Sequence, residues 1–115
     1  MSGFHIDERD LDGIKVLELN GFLDAHTAPT FEQSIEEQVK AGHYKIIINL
    51  SNLEYISSAG LGVFMGFIED IREHSGDIKI CNASDKVYKV FDLLGFPNLF
   101  DIVDDEESAK QKFEN

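Results

Sequence analysis

The sequence predicts a single α/β domain over residues 1–115. An N-terminal β-hairpin leads into helices that alternate with parallel strands, in the order β-β-α-β-α-β-α-β-α. Three observations carry this prediction. Phe4, Ile6 and Glu8 alternate, as do Ile14 and Val16, on either side of Asp12-Gly13, the pattern of a tight hairpin. Ile46-Ile47-Ile48 is an unbroken β-branched run, which suits a strand covered on both faces. Three further segments repeat apolar residues at helical spacing, and a glycine closes each one. Helices between strands imply parallel pairing through right-handed crossovers. With the strands in chain order, those crossovers place the helices mainly on one face of a mixed sheet.

The hairpin strands are expected at about residues 4–9 and 13–20, with Asn20-Gly21 breaking the second. Thr27 reads as the N-cap of the first helix, with Pro29 in its first turn and Phe31, Ile35 and Val39 as its buried stripe. Gly42 ends it. The strand from Lys45 to Leu50 is followed by a short loop. A second helix is expected from about Ser58 to His74, burying Leu61, Phe64, Ile68 and Ile71 and stopping at Gly76. Asp77 to Asn82 is the next strand. Ser84 caps a third helix, which runs to Leu94 with Val87, Val90, Phe91 and Leu94 inward and Gly95 at its end. Phe96-Pro97-Asn98 is a loop, Phe100 to Val103 a short strand, and Glu106 to Phe113 a terminal helix. The acidic run Asp104-Asp105-Glu106-Glu107 suits that helix's first turn.

Composition narrows the function. The chain has 22 acidic residues against 10 basic ones, a net charge of −12. That balance disfavours direct nucleic-acid binding and docking on an anionic membrane, both of which need clustered cations. It fits a partner with a basic surface. One cysteine, Cys81, allows no internal disulfide, and no apolar run approaches the roughly 20 residues of a membrane helix. The N-terminus has no cationic-then-apolar leader pattern, so a cytoplasmic location is expected.

Tyr55-Ile56-Ser57-Ser58-Ala59-Gly60-Leu61-Gly62 combines nucleophilic side chains with an anion-tolerant backbone. Two adjacent serines stand where a strand gives way to a helix. Serine is a favoured N-cap, and the pair could serve that purpose alone. A helix N-terminus also tolerates a phosphate, because its first N–H groups lack helical partners and the macrodipole is positive there. At about 100° per residue, Ser58 shares a sector of the helix with Gly62, Met65, Gly66 and Glu69, opposite Phe64 and Ile71. Each exposed helical glycine costs roughly 1 kcal/mol relative to alanine. So bare a face invites either the close approach of another backbone or local packing within the domain.

Other chemistries find little support. Gly60-Leu61-Gly62-Val63-Phe64-Met65-Gly66 approaches a dinucleotide fingerprint, but its last interval is one residue too long, and no Walker lysine follows. His5, His26, His43 and His74 have no metal-ligand spacing, although His26 is notable for its place in the Asp24 loop. Ser58 lies in no Gly-x-Ser-x-Gly elbow. No motif for a bound cofactor is present, and catalysis by this chain alone is not expected.

The chain resembles the bacterial anti-sigma factor antagonists, whose fold is the STAS domain. The resemblance spans almost the whole chain. It rests on Gly21-Phe22-Leu23-Asp24 with Thr27-Ala28, on Ile47-Ile48-Asn49-Leu50-Ser51, on Tyr55 to Gly62, and on Val90-Phe91-Asp92-Leu93-Leu94-Gly95-Phe96. It implies a phosphorylatable serine at Ser58 and a partner that is both anti-sigma factor and serine kinase. The unphosphorylated protein would bind that partner and release a sigma factor, and a serine phosphatase would reset the switch. Asp24 falls on an acidic residue that the fold brings near the serine. Taken with the helix face, the expected docking surface is Asp24, His26, Thr27, Ser57, Ser58, Ala59, Gly60, Gly62, Met65 and Gly66. Ser57 stands where many members carry aspartate, and Ala59 where many carry serine or threonine, which leaves Ser57 as a rival acceptor. Two other roles remain open: a STAS subunit of a stress-sensing or lipid-transport assembly that is never phosphorylated, and a small-ligand or nucleotide-binding domain.

Overall fold

The computed structural model describes residues 3–114. Five strands form one sheet in the order β1-β2-β3-β4-β5. β1 (His5–Leu11) and β2 (Ile14–Leu23) pair antiparallel across a two-residue turn. Asp12 and Gly13 both take positive φ, 52° and 88°, as a type I′ turn demands. The remaining pairs are parallel: β2 with β3 (Lys45–Ile56), β3 with β4 (Asp77–Cys81), and β4 with β5 (Ile102–Val103).

The pleat of β3 divides its side chains between two cores. Ile46 and Ile48 join the larger one with residues of α1 (Ala28–Lys40), α2 (Ser58–Glu73) and α3 (Asp85–Leu93). Ile47 points the other way, to Ile14, Val16, Cys81 and Ala109, the last on α4 (Glu106–Glu114). Three helices therefore cover one face and α4 the other. Phe64 of α2 is fully buried and packs edge-on against Phe31, Phe91, Phe96 and Phe100, with ring centroids 5.2–6.3 Å apart. This aromatic cluster fixes α2 to α1, to α3 and to the Phe96–Asn98 3₁₀ turn.

Several elements differ from expectation, each for a physical reason. Asn20-Gly21 does not break β2. The strand runs on to Leu23, with shifts of register at Glu18/Asn20 and Gly21/Phe22, and Gly21 takes φ 101° against the backbone of Gly3 and Phe4. β3 continues six residues beyond Leu50, because the irregular β2 edge keeps pairing with Asn52, Leu53, Tyr55 and Ile56. Ser75, at φ 64°, supplies the left-handed residue after α2, and Gly76 serves a different need. A Cβ at Gly76 would lie 1.9 Å from the Tyr44 carbonyl oxygen, where β4 meets the residue before β3. Leu94 is not inward but exposed, because α3 ends at Leu93. Phe100 belongs to the core but precedes β5.

Candidate functional site

The carboxyl ends of β2 and β3 bring the Asp24 loop together with the start of α2. The Ser57 N–H donates to the Leu23 carbonyl at 2.9 Å, extending the ladder by one bond at the point where both chains leave the sheet. Asp24 therefore begins its loop where Ser57 leads into α2.

The Asp24 loop is closed on itself. Asp24 Oδ1 accepts from the His26 and Thr27 N–H groups at 2.9 and 3.2 Å. Thr27 Oγ1 accepts from the Asp24 N–H and donates to the Phe22 carbonyl at 2.8 Å. Thr27 is the N-cap residue of α1 by position, yet its hydroxyl caps no helical N–H; the loop claims it. His26 is exposed at the tip.

The two serines are not equivalent. Ser57 is the N-cap residue of α2, with extended backbone and no side-chain cap. Its Oγ is buried without a hydrogen-bond partner. Ser58 is the first residue of α2 and is exposed, as is Ala59. The expected cap is thus absent, and the first-turn N–H groups of α2 lie beside an exposed hydroxyl. Such an end favours an added anion through both its free donors and the macrodipole.

The α2 surface divides as the wheel predicts. Leu61, Phe64, Ile68 and Ile71 are buried, whereas Gly62, Met65, Gly66 and Glu69 are exposed, Met65 by 47%. Nothing lies within 4 Å of where a Cβ would stand at Gly62 or Gly66. Packing inside this domain therefore does not require either glycine. Gly60 is the opposite case. It is buried, and its Cβ would lie 2.6 Å from Leu23 Cγ, so its smallness lets α2 start against β2 rather than exposing a docking face.

Sequence reasoning missed two features here. Phe22 and Tyr55 are register partners on β2 and β3, with ring centroids 6.0 Å apart, and are exposed by 52% and 42%. Beside them lies a groove of about 870 Å³, lined in part by Gly21, Phe22, Asp24, Thr27, Asn52 and Glu54. Ser58 is not in its lining. Both features depend on the extension of β3, and the run Ser51-Asn52 concealed it by interrupting the apolar pattern.

The Cys81 thiol is pushed up to about 12, chiefly by burial and then by Glu106 and Asp105. It holds its proton at neutral pH and faces α4. Among the described residues, no group of three or more His, Cys, Asp or Glu is placed to hold a metal ion, and no helix is long and apolar enough to cross a membrane.

The fold has counterparts in known proteins. The model of the STAS domain family matches residues 5–109. The anti-sigma-B factor antagonist of Listeria monocytogenes is 34% identical over 98 residues, which cover 84% of each chain. The anti-sigma factor antagonist SpoIIAA in its unphosphorylated form superposes with a TM-score of 0.82 at 23% identity, over 96% of each chain. The phosphorylated form of this Bacillus cell fate determinant gives a TM-score of 0.72 at 24% identity, over 96% of this chain and 98% of that one. A hairpin-led mixed sheet, three helices on one face and a serine at the start of the second helix go with a family match along nearly the whole chain: this protein belongs to the STAS domain family.

Proposed function

We propose that this chain is an anti-sigma factor antagonist, switched off by phosphorylation at Ser58. The observation that carries the reading is the contrast between the serines. Ser58 presents its side chain to solvent at the uncapped start of α2, whereas the Ser57 hydroxyl is buried. Relatives named as antagonists of anti-sigma factors, and a neighbour solved in a phosphorylated form, support the same reading.

In this mechanism the unmodified Ser58 and the Gly62–Met65–Gly66 face dock on an anti-sigma factor that is also a serine kinase. The glycines let a partner backbone approach closely, and Met65 adapts to it. Serine is a weak nucleophile, so the kinase supplies base, Mg²⁺ and ATP. The added phosphate carries close to two negative charges. Its own helix end tolerates them, but the surface that accepted a neutral hydroxyl does not. The partner is lost, and a serine phosphatase restores binding. The chain supplies the substrate serine and the docking face rather than catalysis, and the whole of residues 1–115 acts as one STAS domain in the cytoplasm.

Incubation with the genomically neighbouring anti-sigma kinase and ATP tests the proposal by intact mass and site mapping. One phosphate on Ser58 is expected, with loss of complex on gel filtration. A chain that binds but takes up no phosphate would instead be an unphosphorylated STAS module.

A further inference from the structure

We propose that the Phe22–Tyr55 ring pair anchors a basic segment of the same protein partner, with an arginine guanidinium lying on the rings and reaching Glu54. The inference rests on the reading of the Ser58 end as a docking surface, and it extends that surface onto β2 and β3, away from α2.

Three observations converge on it. First, two large aromatic side chains stand side by side at the sheet's carboxyl end, each about half exposed. Tyr55 and Phe22 are two residues from Ser57 and Asp24, the first residues beyond the two strands. Exposed paired aromatics are the residues that interfaces use as anchors. Second, the rings are tilted by 37° rather than stacked. Their faces are not spent on each other, and a planar cation can lie against one ring with its edge toward the other. Third, the neighbouring carboxylates are unevenly committed. Asp24 Oδ1 already accepts two N–H groups of its own loop. Glu54, exposed in the groove beside Phe22, forms no hydrogen bond or ion pair with another described residue.

An aromatic ring in the groove wall, paired with a second ring beside the groove and accompanied by a free carboxylate, selects a cation. It selects arginine over lysine, because a guanidinium stacks on a ring while its edge donates to a carboxylate. The chain's charge of −12 draws such a segment in from a distance. An acidic rim also disfavours phosphate-bearing ligands in the groove.

A blocked tri-arginine peptide is the probe, titrated into the assigned chain of residues 1–115 at physiological ionic strength. Aromatic and amide NMR shifts are followed, with tri-lysine for comparison. The expected result is saturable shifts of the Phe22 and Tyr55 ring signals and the Glu54 amide, with tri-arginine binding about fivefold tighter than tri-lysine. Tyr55→Ala and Glu54→Gln should each weaken binding about fivefold, whereas Tyr55→Phe keeps it. Glu36→Gln, an exposed acid on α1, should leave it unchanged. Equal binding of the two peptides, shifts spread over the whole acidic surface, or ring signals that do not move would each overturn the proposal. The titration uses neither kinase nor phosphate, so its failure leaves the Ser58 reading standing, and an unphosphorylated Ser58 leaves this one standing.

Discussion

Gly60 packs so closely on Leu23 that a Cβ there would stand 2.6 Å from Leu23 Cγ and 2.8 Å from Cδ2. Leu23 is fully buried and ends β2, so it has little room to move. Gly60→Ala should therefore destabilise the fold by about 1–3 kcal/mol, as overpacking does. Gly76→Ala should cost more, because the clash is with the Tyr44 backbone rather than a side chain. Urea denaturation of both variants checks this. A neutral Gly60→Ala would mean that α2 can lift from β2 at no expense.

Gly62 and Gly66 should behave in the opposite way. Both are exposed on α2 with open space at the Cβ position. Alanine there should raise stability by about 0.4–1 kcal/mol at each site. If the face docks a partner, the same substitutions should weaken the complex. A melting curve and a binding isotherm on each variant separate the effects, and a double variant that is more stable yet binds normally would remove the glycines from the interface.

The serines make a third pair of opposites. Ser57→Ala removes a buried hydroxyl that has no partner, so stability should hold or rise slightly. Phosphate uptake should persist in that variant and vanish in Ser58→Ala. Ser58→Ala should remain bound to the partner in the presence of ATP, and Ser58→Asp should bind poorly. Intact mass after kinase treatment reads phosphate uptake, and gel filtration with the partner reads binding. Phosphate retained on Ser58→Ala would transfer the switch to another residue.

Acid should loosen the α4 face. Hydrogen bonds from Arg9 hold Glu106 below its ordinary 4.5, against the opposing effect of burial, with Asn49 adding a further donor. For Asp77, burial alone would raise the carboxyl. Hydrogen bonds from Lys79, Arg72 and the Ile78 N–H outweigh it and leave the group below 3.8. A carboxylate with a depressed folded value adds stability above its unfolded value, and that stability is lost as pH falls through the folded one. The urea midpoint should thus be level in mildly acidic buffer and fall once pH drops below about 4.5. Glu106→Gln should start lower and fall less. Identical acid profiles for the two proteins would count against this account.

Much of the architecture was legible because local chemistry and tertiary packing agree. Asp12-Gly13 fits only one kind of hairpin turn, Ile46-Ile47-Ile48 needs cover on both faces, and the Phe64 stripe points where α2 is buried. The misreadings fall where pairing overrides pattern. Asn20-Gly21 looks like a stop, yet bulges let β2 pass through it. Ser51-Asn52 looks like a loop, yet β2 holds it in the sheet. Gly76 looks like a helix terminator, and only the distance to Tyr44 reveals its use. At the candidate site, the sequence exposed the serines and the bare glycine face. It hid the Phe22–Tyr55 pair, which exists only through a register shift, and it did not distinguish buried Gly60 from its exposed neighbours.

β3 pairs with β4 only from Lys45 to Asn49, while its pairing with β2 runs on to Ile56. The serine pair thus stands on a two-stranded promontory to which β4, β5 and α4 contribute no rung. For a protein engineer this separates two halves of the molecule. A reporter grafted at the Asp12-Gly13 turn would sit at the opposite end of β2 from Leu23, and the promontory would remain available to a binding partner.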